Sequence, residues 1–306
     1  MNNRMIVIAG PTAVGKSAAA VRLAKKLNTE IVSADSMQVY KGMDIGTAKI
    51  TESEMDGVRH HLTDCIDPHE NYDVVRFKEM AEEACRDIQE RGMIPIVCGG
   101  TGFYIQALLY DIDFTEEEGL PEYREELFMY AARNGNEALH RLLSDTDPSA
   151  ALKIPLNNVK RTVRALEFFR IHNKLISEHN AAEEKKKEKA AYDSRLFVLY
   201  DEREKLYEHI NMRVDRMMER GFLSEVEALI KSGVDPKGTA MQAIGYKQLY
   251  EYLSGKCSYE EAVENIKTIS RRYAKKQLTW FRREKDAIWV NAGEGDTVNE
   301  ILGHLW

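Results

Sequence analysis

Long apolar runs are missing from this 306-residue sequence. The most continuous one, "MIVIAG" at 5–10, is far shorter than the roughly 20 residues that a membrane-spanning helix needs. It also lacks the pattern of a secretory signal and runs straight into a glycine-rich loop. Cysteine is scarce: Cys65, Cys85, Cys98 and Cys257 stand apart, with no C-x-x-C pair. That scatter excludes a disulfide framework and argues against a structural zinc, so we expect a reduced, cytoplasmic protein with no membrane contact. Positive charge is not in excess either, the formal net charge being −7. A chain coated throughout by nucleic acid is thereby disfavoured, although local clusters of cations decide binding.

What is present is ordinary globular composition, 43% hydrophobic and 30% charged, in a chain long enough for a full core. "MIVIA" (5–9) reads as a buried strand, followed by a helix from about Lys16 to Leu27. "EIVSAD" (30–35) reads as a second strand. Residues 73–91 form an amphipathic helix stopped by Gly92, and "MIPIVCGGTG" (93–102) is a third strand opening into a second glycine turn. Such alternation predicts an α/β fold, a P-loop NTPase-like parallel sheet flanked by helices. Ligands in these sheets sit at the carboxyl ends of the strands, where the first loop, Asp35 and Gly99–Gly102 all fall.

From about residue 115 only helical periodicity remains, with Pro148 opening one helix and Val159, Val163 and Leu166 striping another. "AAEEKKKEKAA" (181–191) reads as a solvated helix end or hinge, and "RLFVLY" (195–200) returns to strand. We divide the chain into an α/β core of 1–113 and 192–306 and an all-helical insertion of 114–191. The last third is helical, with capping-box spacings at Ser224–Glu227 and Ser258–Glu261, and "AIWV" (287–290) is a candidate edge strand.

The strongest chemical signal is "GPTAVGKS": Gly10, Pro11, Thr12, Ala13, Val14, Gly15, Lys16 and Ser17. Its spacing is G-x-x-x-x-G-K-S between a strand and a helix. Backbone N–H groups cradle phosphate, Lys16 reaches a terminal phosphate, and the Ser17 hydroxyl suits Mg²⁺. Asp35 is placed to face that site; alone it reads equally as a cap on the turn after its strand. The third strand has no metal-binding acid at its end, which weakens an ATP-hydrolysing reading. It offers Gly99, Gly100, Thr101 and Gly102 instead, either a close-approach surface for a ligand or a tight turn. Arg213 lies beside the stripe Leu206, Ile210, Val214 and Met217, as a surface cation or as a clamp on a leaving phosphate group.

Two basic groups bring nucleic acid back. One is "RRYAKKQLTWFRREK" (271–285), where Arg272, Lys275, Lys276, Arg282 and Arg283 share one side of a helix. Within it, Trp280 and Phe281 either pack inward or stack on bases. The other is Lys160, Arg161 and Arg164 on the insertion. Either surface reads as a solvated face or as an RNA contact. The His60–His61 doublet has no further ligand at suitable spacing, which weighs against a metal site there.

Together these segments resemble the bacterial tRNA dimethylallyltransferases. The likeness rests on "GPTAVGKS" (10–17), "SADSMQVYKGMDIGTAK" (33–49), "GGTGFY" (99–104), "VKRTVRALE" (159–167), "AIGYKQL" (243–249) and "YAKKQLTWFR" (273–282). It spans nearly the whole chain in order, and "DSMQVYKGMDIGTAK" is far more specific than the phosphate loop. Lys160 and Lys276 depart from it, standing where many relatives carry Gln and Arg.

The resemblance implies transfer of a dimethylallyl group from dimethylallyl diphosphate to N6 of adenosine 37 in a tRNA anticodon loop. The phosphate loop, with Mg²⁺ at Ser17, would hold the donor's diphosphate. Asp35 would be the general base, Arg213 would stabilise the leaving diphosphate, and Thr101 would hydrogen-bond Asp35 or a phosphate oxygen. Contact with tRNA would fall to Asp35, Ser36, Met37, Gln38, Thr101, Lys160, Arg161, Thr162, Val163, Arg164, Lys275, Lys276, Gln277 and Arg282. The partners expected are tRNA and dimethylallyl diphosphate, with the protein a monomer. An ATP-dependent small-molecule kinase shares the loop and Asp35 but leaves the basic surfaces unexplained. An adenylate prenyltransferase would need no RNA grip, and a non-catalytic RNA-binding protein does not explain Asp35.

Overall fold

The computed structural model describes residues 3–112, 119–186 and 191–306. By internal contacts it divides into two units, 1–109 with 191–306, and 110–190. The expected boundary at 113/114 and the last part of the charged run, 187–190, lie outside the described residues.

The larger unit is built on six parallel strands: β1 (Arg4–Ala9), β2 (Ile31–Ser33), β3 (His60–His61), β4 (Ile96–Gly99), β5 (Asp193–Tyr200) and β6 (Ile288–Asn291). Their order across the sheet is β3-β2-β4-β1-β5-β6. Met5 through Ala9 are fully buried, which is why β1 reads as a continuous apolar run rather than an alternating one. It pairs with β4 on one side, Ile6 opposite Ile96, and with β5 on the other, Val7 opposite Leu196. The chain leaves β1 toward β2 on one side and reaches β5 on the other, so the crevice beyond the C-terminal end of β1 is the switch point of the sheet. The expected edge strand is present as β6, parallel to β5. The two-residue β3 is an addition that no periodicity could signal.

The helix Val74–Glu90 starts at Asp73, whose carboxylate accepts from the N–H groups of Val75 and Arg76, and it buries Phe77, Ala81, Ala84, Cys85 and Ile88. The long helix Tyr259–Phe281 opens with the expected capping box at Ser258 and Glu261. The box expected at Ser224 and Glu227 is absent. The helix there, Phe222–Lys231, begins one residue after the left-handed Gly221, so Ser224 is already inside its first turn.

In the helical unit, Pro121–Asn134, Asn136–Thr146, Pro148–Lys153, Val159–His172 and Ile176–Lys186 are helices. Leu127, Leu139, Leu143, Val163 and Leu166 form its core. Glu167 is fully buried there, and its carboxylate accepts from Arg124 at 2.5 Å and from the Leu120 N–H at 2.9 Å. Among the described residues, no helix is long and apolar enough to cross a membrane.

Candidate active site

The phosphate loop follows β1 and turns into the helix Lys16–Leu27 through Gly15, whose φ of 94° lies in the left-handed region. A Cβ there would meet nothing within 4 Å, so the backbone conformation, not space, calls for glycine. That helix has no side-chain cap and no acid in its first turn, which leaves its N-terminal N–H groups for an anion. The Lys16 Nζ donates to the Pro11 carbonyl at 2.6 Å, holding the ammonium over the loop. Burial lowers the Lys16 pKa to about 8; Arg213 adds to the drop, while Cys98 and Asp35 oppose it.

A cavity of about 280 Å³ opens at the strand ends, lined by Thr12, Lys16 and Ser17 from the loop, and by Asp35, Gly100 and Arg213. Its other wall is apolar, made by Ile210, Val214, Met217, Phe222, Ile244 and Ile266. Cations, a carboxylate and a hydrocarbon surface therefore meet in one hollow. A second cavity, of about 580 Å³, shares Lys16, Ser17 and Arg213 and adds Arg216 and Arg220.

Asp35 lies two residues beyond the end of β2, which stops at Ser33 and not at Asp35 as expected. Its Oδ1 accepts from the N–H groups of Met37 at 2.8 Å and Gln38 at 3.1 Å, so the turn-capping reading is correct for one oxygen. Among the described residues Oδ2 takes no protein hydrogen bond, which leaves an acceptor on the cavity. Arg213 projects from the helix Arg203–Glu219 and donates to the Thr47 carbonyl at 3.1 Å. Burial acts against its charge, and Asp35 and Glu54 offset part of that cost. It is a cation of the cavity, and the surface reading is excluded.

Gln277 has a further task that the sequence reading did not give it. Its side chain is buried, and its amide accepts from Thr12 N–H at 3.0 Å and donates to the Gly100 carbonyl at 2.8 Å. It clamps the phosphate loop to the second glycine turn from the edge of the cavity. A Cβ on Gly100 would lie 2.2 Å from the Gln277 Nε2, which accounts for glycine at that place. Thr101 begins the helix Gly102–Leu109, its carbonyl accepting from Tyr104 and Ile105. The Tyr273 phenol, which lines the cavity, lies beside the Thr101 side chain. Burial pushes the Tyr273 phenol up to about 12, Asp35 adding to the rise and Thr101 opposing it.

Thr162 and Val163, unlike their neighbours, have side chains buried within the helical unit. Lys160 and Arg161 are exposed beside them. Arg164 is exposed too, with an ion pair to Glu167 at 3.4 Å. On the larger unit Arg272, Lys275, Lys276, Arg282 and Arg283 are exposed, Phe281 is buried, and Trp280 packs edge-on against Phe103 with ring centroids 6.2 Å apart. Phe281 thus packs inward, Trp280 is half-buried against the exposed Phe103, and the cations form the face.

His61 does meet further carboxylates, since its ring nitrogen and one oxygen each of Glu30 and Asp87 lie within 4.8 Å of one another. Arg91 fills that cluster, donating to both Glu30 oxygens at 2.5 and 2.8 Å and to Asp87 at 2.7 Å. Arg91 thereby holds the Glu30 pKa down at about 2. An ion-pair network, not a metal centre, occupies the place.

The donors near the loop suit Mg²⁺. The Ser17 hydroxyl is exposed at the head of its helix and lines both cavities, and hydroxyl, phosphate and water oxygens are the hard ligands this ion takes.

The family model described as IPP transferase matches residues 38–284, and one described as isopentenyl transferase matches 3–67. A tRNA dimethylallyltransferase of Lachnoclostridium phytofermentans is 49% identical over 98% of this chain and 96% of its own. A crystal structure of the tRNA isopentenylpyrophosphate transferase of Bacillus halodurans is 41% identical and superposes with a TM-score of 0.73, covering 99% of this chain and 96% of that one. A eukaryotic dimethylallyltransferase captured acting on tRNA is 32% identical with a TM-score of 0.82, covering 99% of this chain and 78% of that one. With matches running from the phosphate loop through the basic helix, the chain belongs to the IPP transferase family of tRNA dimethylallyltransferases.

Proposed function

We propose that the protein transfers the dimethylallyl group of dimethylallyl diphosphate to N6 of adenosine 37 in a tRNA anticodon loop, releasing diphosphate. One observation carries this reading: the phosphate loop, an apolar wall and Asp35 line the same cavity. A phosphoryl-transfer site would need its polar groups around the terminal phosphate of ATP. Here hydrocarbon surface is offered where the transferred group would sit.

In the reaction the C–O bond to the diphosphate breaks as the allylic carbon bonds to N6. The adenine amine is a poor nucleophile, its lone pair being delocalised into the ring, and it becomes acidic as the new bond forms. Asp35 takes that proton on its open oxygen. Lys16, Arg213 and the loop N–H groups stabilise the charge that accumulates on the departing diphosphate. Mg²⁺, held by the Ser17 hydroxyl, would supply further charge neutralisation on the phosphate oxygens. The apolar wall excludes water from the allylic carbon, which would otherwise be hydrolysed. Adenosine 37 lies in a single-stranded loop, so drawing it from its stack costs only a few kcal/mol. Lys275, Lys276 and Arg282 on one unit, and Lys160, Arg161 and Arg164 on the other, would contact phosphates of the RNA.

Release of inorganic diphosphate tests the scheme. It should require both the donor and an anticodon stem-loop, in proportion to RNA added. Release of orthophosphate from ATP at a comparable rate would support the kinase reading instead.

A further inference from the structure

Glu225 lies outside every motif described above, on the helix Phe222–Lys231. Its carboxylate nevertheless accepts four hydrogen bonds. Oε2 takes the N–H groups of Asp44 at 2.8 Å and Ile45 at 2.7 Å; Oε1 takes the Gly46 N–H at 3.0 Å and the Tyr246 hydroxyl at 2.6 Å. Three successive backbone N–H groups converging on one carboxylate form an anion nest, and charge-assisted bonds of this kind are strong. Burial and Glu225 together push the Tyr246 phenol far up, so it stays a donor.

The loop held in this way leads directly to the cavity. Gly46, Thr47 and Ala48 line it, and the Thr47 carbonyl accepts from Arg213 at 3.1 Å and from the Gln38 side chain at 3.2 Å. Gly46 lies flat on Phe222, where a Cβ would come within 2.0 Å of the ring. The peptide that aims Arg213 is therefore fixed from behind by Glu225, Tyr246 and Phe222.

We infer that Glu225 is a positioning residue for the transfer reaction, setting Arg213 through the 44–48 loop. The inference rests on the proposed role of Arg213 against the leaving diphosphate. A double-mutant cycle tests it, with kcat measured on dimethylallyl diphosphate and an anticodon stem-loop, and RNA affinity measured separately. Glu225→Ala should lower kcat about 10- to 100-fold and leave stem-loop affinity within about 2-fold, since Arg213 acts on the leaving group alone. Glu225→Gln, which keeps one acceptor oxygen, should recover part of that loss. In an Arg213→Ala background the Glu225→Ala change should cost less than about 3-fold, because residues acting through one another are not additive. An equal cost in both backgrounds, or an unchanged kcat, overturns the inference. Where Glu225→Ala melts below the assay temperature, Tyr246→Phe removes one of the four bonds and runs the same cycle with the same two outcomes. Binding of inorganic diphosphate with Mg²⁺ separates this from the function itself. Wild-type protein that binds diphosphate but modifies no RNA contradicts the transferase reading, whereas diphosphate affinity unchanged by Glu225→Ala contradicts only the positioning role.

Discussion

Gln277 and Thr12 are joined by a 3.0 Å hydrogen bond that crosses 265 positions of sequence, from the basic C-terminal helix to the phosphate loop. Through the same amide, Gln277 reaches the Gly100 carbonyl at 2.8 Å. One side chain thus sets the distance between the loop that would hold the donor and the turn beside Asp35. Gln277→Leu leaves the Thr12 N–H and the Gly100 carbonyl without this partner, at a cost of about 1–3 kcal/mol for each group that stays buried. We predict a lower melting temperature and roughly 10-fold weaker binding of inorganic diphosphate, with anticodon stem-loop affinity nearly unchanged. Calorimetry on both ligands checks this. A loss confined to RNA affinity would make Gln277 an RNA contact and not a clamp on the loop.

Lys16 gives the diphosphate site a pH dependence. Its pKa is depressed to about 8, chiefly by burial, so the ammonium is intact below that pH and is lost as pH rises through it. A bound diphosphate favours the charged form. Affinity for inorganic diphosphate should therefore fall as pH rises through about 8, and binding above it should take up a proton. Titrations in buffers of different ionisation enthalpy measure the uptake. Lys16→Met should abolish it; uptake unchanged in that variant would assign the proton to another group.

The exposed cations make a separate prediction. If Lys275 and Lys276 neutralise phosphates, each change to Ala should reduce the salt slope of stem-loop binding by about 1 and leave diphosphate binding unchanged. Arg164 should contribute less than Arg161, because Glu167 already engages it at 3.4 Å. A flat salt response would make these faces merely solvated.

Much of this was legible in the sequence because the signals are local. The phosphate loop is a contiguous spacing, β1 is an unbroken apolar run, and Ser258 is a cap whose partner Glu261 lies three residues on. The resemblance carried the rest of the assignment across "DSMQVYKGMDIGTAK" and "YAKKQLTWFR". What escaped was side-chain direction and long-range pairing. Lys275, Lys276 and Gln277 are neighbours in sequence, yet helical rotation exposes the first two and buries the third. Thr162 and Val163 are turned inward by the same rotation. Glu225 could not be read as part of the site, since its partners at 44–46 lie about 180 positions away. Tyr273 was passed over because its relation to Asp35 and Thr101 exists only after the helix docks.

Asp35 bears the proton in the proposed reaction, and its Oδ1 also holds the turn at Met37 and Gln38. Asp35→Asn keeps a carbonyl oxygen for that turn and loses the base. We predict a drop in kcat of about 10²- to 10⁴-fold, with tRNA affinity within a few-fold of wild type. Single-turnover kinetics beside equilibrium binding separates the two. A turnover near wild type would remove Asp35 from the base role.

In the proposed reaction the phosphates at this loop leave and the hydrocarbon stays. Mass spectrometry of an anticodon stem-loop, incubated with the protein, Mg²⁺ and dimethylallyl diphosphate, tests it most directly. One added C5 unit on adenosine 37 is expected, with no phosphate gained by the RNA. An unmodified adenosine, with ATP consumed efficiently by the same preparation, would contradict it.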